Sequence, residues 1–140
     1  MENQNYKNHA RMHPLYHYIL SLLLISTLVG AIVHVIREGF SLSSILILAI
    51  VVSLLIVGIV ARTYPLKAQD RAIRAEENLR HFVLTGKLLD SKLTVGQIIA
   101  LRFASDEEFP ELSQKAASQN LSPADIKKAI KNWKADYYRV

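Results

Sequence analysis

The chain has 140 residues, 51% of them hydrophobic, with 17 Lys and Arg against 12 Asp and Glu for a net charge of +5. It contains no cysteine, which excludes a disulfide framework, a thiolate zinc site and a cysteine nucleophile. Every basic residue except Lys7, Arg11 and Arg37 lies from Arg62 onward, so the chain divides into a polar arm at 1–14, an apolar stretch at 15–61 and a tail at 62–140 that suffices for one small domain.

The apolar stretch is two charge-free runs, Leu15–Ile36 and Phe40–Ala61, separated by Arg37, Glu38 and Gly39. A helix of either length rises roughly 33 Å, which crosses a hydrocarbon core of about 30 Å. The first run is longer than the apolar region of a cleaved signal, and a second span follows at once. The three-residue turn makes the two spans an antiparallel pair, with Gly30, Ala31, Ser53 and Gly58 as small residues that permit close approach. Lys7 and Arg11 before the first span, and Arg62, Lys67, Arg71, Arg74 and Arg80 after the second, outweigh Arg37 in the turn. The positive-inside bias therefore puts both termini in the cytoplasm, with the juxtamembrane basic residues against anionic headgroups.

After Pro65, the segment Leu66–Leu84 reads as a helix ended by Gly86. Ala68, Ala72, Ala75, Leu79 and Phe82 recur at heptad spacing and form a seam for the rest of the domain or for a second subunit. Asp70 with Arg74, and Glu76 with Arg80, are helix-stabilising i,i+4 pairs. Thr94 caps a helix running to about Ala104. Ser105-Asp106-Glu107-Glu108 has the pattern of a capping box opening a helix toward Gln119, in whose second turn Pro110 falls. Ser122, Pro123 and Asp125 start a last helix, expected to reach about Tyr138 with Ile126, Ala129, Ile130, Trp133 and Tyr137 as its buried stripe. Nothing in the tail alternates like a strand, so it reads as about four helices.

Few residues point to chemistry. His17, Thr27 and His34 in the first span are candidates to face a pore if subunits gather around an axis. His9, His13 and His17 lie four apart, but Pro14 interrupts the helix that would align them for a metal. Asp106, Glu107, Glu108 and Glu111 lack the alternation of a Ca²⁺ loop and read as solvated acids at a helix start, bridged by Arg102. Leu112–Trp133 has helix-turn-helix spacing, with Asn120 at the left-handed turn and Lys127, Lys128 and Lys131 available to phosphates or a protein partner. The acids around them and the neutral charge balance of this half speak against nucleic acid. No Walker loop, dinucleotide fingerprint, nucleophile elbow or zinc-protease helix occurs, and no enzyme activity, metal or cofactor is expected.

The strings Gln4-Asn5-Tyr6-Lys7-Asn8-His9, Ala61-Arg62-Thr63, Leu66-Lys67-Ala68-Gln69-Asp70-Arg71-Ala72-Ile73-Arg74, Leu79-Arg80-His81-Phe82, Ala100-Leu101-Arg102-Phe103-Ala104-Ser105-Asp106-Glu107-Glu108-Phe109-Pro110 and Ile126-Lys127-Lys128-Ala129-Ile130-Lys131-Asn132-Trp133 resemble those of a family of small bacterial two-span membrane proteins of unknown function. Some of its members carry a transporter-permease label. The resemblance implies a bacterial cytoplasmic membrane and transfers no site residue. The expectation is therefore an all-α protein, a two-helix transmembrane hairpin followed by a small cytoplasmic helical domain. Its expected role is that of a non-enzymatic, homo-oligomeric scaffold or interaction module with lipid and a cytoplasmic protein as partners. An oligomeric channel or transport-accessory subunit is the alternative, and a membrane-tethered DNA-binding protein is third.

Overall fold

Five helices account for most of the chain in a computed structural model that describes residues 4–9 and 12–137. They are α1 (Leu15–Glu38), α2 (Leu42–Thr85), α3 (Val95–Leu101), α4 (Phe109–Gln119) and α5 (Pro123–Ala129). The described residues include no strand, only one antiparallel bridge between Ala104 and Trp133. Two compact units result, a hairpin that ends at Tyr64 and a helical domain that begins at Pro65 and includes residues 4–9 of the N-terminal arm.

Both hairpin helices are long and apolar enough to cross a membrane, with α1 at a mean hydropathy of 2.5 and α2 at 3.1 over their most apolar 18-residue windows. On α1 the sheltered positions are Tyr16, His17, Ser21, Leu24, Leu28, Ala31, His34 and Val35, and beyond the turn they are Ser41 and, on α2, Ser44, Leu48, Val51, Leu55, Gly58 and Arg62. Spacings of three and four along each helix are the mark of a coiled-coil-like seam between them. Of the small residues expected there, Ala31 and Gly58 are buried, whereas Gly30 and Ser53 are exposed. The first turns of α1, Leu15–Leu20, are π-helical and carry Tyr16, whose hydroxyl donates to the Gly58 carbonyl at 2.8 Å. A Cβ on Gly58 would stand 3.3 Å from Leu24 Cδ1. Gly58→Leu is therefore expected to separate the two helices and lose the Tyr16 bond, read as faster protease cleavage of the hairpin in detergent.

The turn falls at Gly39-Phe40-Ser41, two residues later than the charges suggest. Gly39 sits at φ 68° and ψ −167°, a region open to glycine and costly for other residues. Ser41 then accepts the Ser44 amide at 3.2 Å and contacts the Ser44 hydroxyl at 2.8 Å, closing the start of α2.

Pro65 lies inside α2 rather than ahead of a separate helix, so α2 runs on without a break to Thr85. Gly86, at φ 72°, ends it as expected. Thr94 and Gln97 form a reciprocal capping box at α3, and the Gln97 side chain donates onward to the Leu121 carbonyl at 2.8 Å. Ser122 caps α5, and Asn120 takes the left-handed conformation after α4. The core is Leu89, Leu93, Ile98, Leu101, Phe103, Phe109, Leu112, Ala116, Ile126 and Ile130.

Three helix ends differ from the sequence expectation. α3 stops at Leu101, because Phe103 and Ser105 turn their backbone groups to Lys134 (2.7 Å) and Asn132 (3.0 Å). α4 starts at Phe109, not Ser105, with Pro110 in its first turn where the missing N–H costs nothing. The Ser105–Glu108 contact is long at 3.5 Å, and Glu108 instead accepts the amides of Lys131 (3.1 Å) and Asn132 (3.0 Å). The same bonds hold the segment after Ala129 extended, so α5 ends there. Ala129 and Tyr137 are exposed instead of buried. Tyr138, the expected helix end, lies outside the described residues, as does Arg11.

Candidate functional site

Between Pro65 and Thr85, α2 has two faces, and the domain packs on the more polar one. Leu66, Gln69, Ile73, Glu77 and Arg80 are buried or half-buried, whereas Ala68, Ala72, Ala75, Leu79 and Phe82 are all exposed. Of the two expected uses of the alanine seam, packing within the domain is therefore not the one adopted.

Arg80 is the hub of the packed face. Its Nη1 donates to Glu77 at 3.0 Å, its Nε to Asp106 at 2.7 Å and its Nη2 to the Ala104 carbonyl at 2.7 Å, while its guanidinium lies 4.3 Å over the Phe109 ring. One planar fork thus ties α2 to the turn before α4. Burial pushes the Glu77 carboxyl above its ordinary value against the opposing pull of Arg80, and the hydrogen bond from Arg80 holds Asp106 below its own. From sequence Arg102 is expected to bridge Asp106, Glu107, Glu108 and Glu111, and Glu76 to pair with Arg80, whose partners are Glu77 and Asp106 instead. Arg102 instead pairs with Asp136 at 3.0 Å and stacks 4.6 Å from the Phe103 ring.

The N-terminal arm seats on the opposite end of the sequence. The Asp136 amide donates to Gln4 at 2.8 Å, and the His9 ring lies 5.8 Å from Phe103 and 5.9 Å from Trp133. His9 Nε2 stands 3.0 Å from Lys127 Nζ, and its Nδ1 2.7 Å from the Tyr6 carbonyl. An ammonium only donates and a carbonyl only accepts, so these two contacts suit a ring that accepts at Nε2 and donates at Nδ1. Removing residues 1–9 is expected to uncover Trp133, the single tryptophan of the chain, and move its emission to longer wavelength.

The other residues singled out by sequence are dispersed. His17 and His34 are half-buried on the α1 face turned to α2, whereas Thr27 is exposed and its hydroxyl bonds back to the Leu23 carbonyl at 2.8 Å. His17 Nδ1 accepts the His13 amide at 3.1 Å, while His9 belongs to the arm, so the three imidazoles form no common cluster. Lys127 faces His9, Lys128 lies 3.8 Å from Asp125, and Lys131 offers its backbone amide to Glu108. The described residues hold no group of three or more His, Asp or Glu arranged for a metal.

Neither curated proteins nor solved structures yield a match to this chain. A family model does match, over residues 1–140. The chain therefore belongs to DUF6526, a family of unknown function.

Proposed function

We propose that this protein is a non-enzymatic integral membrane scaffold. In this reading the hairpin spans a bacterial cytoplasmic membrane twice, and the helical domain and arm stand together on the cytoplasmic side. The observation that carries it is the outer surface of the hairpin: Leu22, Ile36, Leu42, Ile59 and their neighbours are exposed on both helices. An apolar surface of this extent is stable against lipid and not against water.

Seating of the arm on the domain adds a topological argument. The two segments flank the hairpin in sequence and touch each other, so they share a compartment and the apolar runs cross together or not at all. The excess of Arg and Lys after the second run favours the cytoplasm for that compartment. Self-association supplies the scaffolding, and lipid and a cytoplasmic protein are the further partners.

A channel draws less support, because His17, Thr27 and His34 do not share a face. So does DNA binding, because α5 has seven residues and Lys127 and Lys128 already have partners.

A chain without cysteine is a ready template for a labelling test. Phe40→Cys and Lys115→Cys variants are treated with a membrane-impermeant maleimide on intact cells. Labelling at residue 40 before lysis and at residue 115 only after it is expected. The reverse pattern overturns the orientation, and recovery of the protein in the soluble fraction overturns the membrane reading.

A further inference from the structure

We infer that the exposed face of α2 beyond the hairpin is a parallel, in-register interface with a second copy of this chain, fixed by reciprocal Arg71–Glu76 pairs. The inference rests on the membrane reading, which emits α2 from the same membrane face in every copy and so makes its partner helix parallel.

Ala68, Ala72, Ala75, Leu79 and Phe82 follow spacings of four and three and are all exposed, Leu79 at 64% and Phe82 at 50%. They are the a and d positions of two heptads, with Ala72 and Leu79 at a. The residues buried by the domain, Ile73, Glu77 and Arg80, then fall at b and f, on the opposite side of the helix. The domain thus covers one face and leaves the seam open.

Charge selects the occupant. In this register Arg71 is a g position and Glu76 the following e position, both exposed. Parallel helices in register bring each g side chain to the partner's next e side chain, so Arg71 of one copy meets Glu76 of the other, twice over. Staggering the helices or swapping in an unrelated helix removes that match. Alanine at three of five core positions lets the two backbones approach closely. Two heptads are too short to pair in dilute solution, and confinement to a membrane raises the effective concentration enough to make up the difference.

The test uses the full chain in liposomes. Ala75→Cys is expected to form a disulfide-linked dimer on mild oxidation, and Arg74→Cys, exposed but off the seam, is expected not to cross-link. In the Ala75→Cys background, Arg71→Glu alone or Glu76→Arg alone should cut dimer yield several-fold, and the double charge reversal should restore it. Unchanged Trp133 emission reports that each variant keeps its fold. Membrane-inserted protein that cross-links equally at 74 and 75, or not at 75, overturns the pairing while the membrane reading stands. Protein that leaves the liposomes at alkaline pH overturns both.

Discussion

Arg80→Met is expected to destabilise the helical domain by about 3 kcal/mol, measured by denaturant unfolding followed through Trp133 emission. The arginine and its partner Glu77 have side chains only 12% exposed. Truncation would leave a buried carboxylate without its cation and the Ala104 carbonyl without its donor. Glu77→Met added to Arg80→Met should recover part of the loss, since it removes the stranded charge. The pH dependence gives the sign independently. Glu77 binds its proton more tightly folded than unfolded, so its contribution falls as pH rises through the carboxylate range, and more steeply in Arg80→Met. Asp106 runs the other way: its folded value is lowered, so its contribution is complete above the unfolded value and disappears as pH falls through the folded one. Arg80→Met should therefore regain stability on mild acidification, a range in which the parent protein gains less.

Phe109→Ala should have the larger effect, about 3–5 kcal/mol. The ring is fully buried, lies under the Arg80 guanidinium and meets the His81 ring edge-on at 5.8 Å. It opens α4 while filling the space between α4 and α2, so no single helix can move in to close the cavity. The loss compares with the whole stability of a small domain, and the expected result is a domain cleaved by trypsin under conditions in which the parent resists. Phe109→Leu, which keeps most of the volume, should cost far less. A similar loss for both would mean that the ring's stacking on Arg80 and His81, and not its volume, carries the stability.

The helices themselves were largely legible, because the signals that set them are local. Thr94, Ser122, Gly86 and Asn120 each do what their chemistry at a helix end favours. The ends that moved are set by distant residues. Ser105 loses its capping partner because Glu108 serves backbone amides beyond α5, and no spacing within 105–111 encodes that choice. The packed face of α2 was missed for a related reason. Apolar periodicity selects Ala68 through Phe82, whereas the buried stripe carries Gln69, Glu77 and Arg80, polar residues that become core only when Asp106 and the Ala104 carbonyl arrive from elsewhere. The seam within the hairpin was hidden differently: small polar residues lie on both faces, Ser21 and Ser44 inside and Ser26, Thr27 and Ser53 outside, so composition alone cannot tell the inner face from the outer. Arm docking had its signal in the aromatic and polar residues Gln4, Tyr6 and His9, but their seat is at the other end of the sequence.

That docking sets an order in time. The Asp136 amide meets Gln4 across 132 residues of sequence. On a translating ribosome the arm emerges well before Lys127, Trp133 and Asp136, and closing so long a loop is slow. The arm is thus made before its seat and waits for it. Until Trp133 and the arm arrive Phe103 lacks its cover, so a chain stalled before residue 133 is distinguishable from one extended past it by exposed aromatic surface, the feature that chaperones and proteases read.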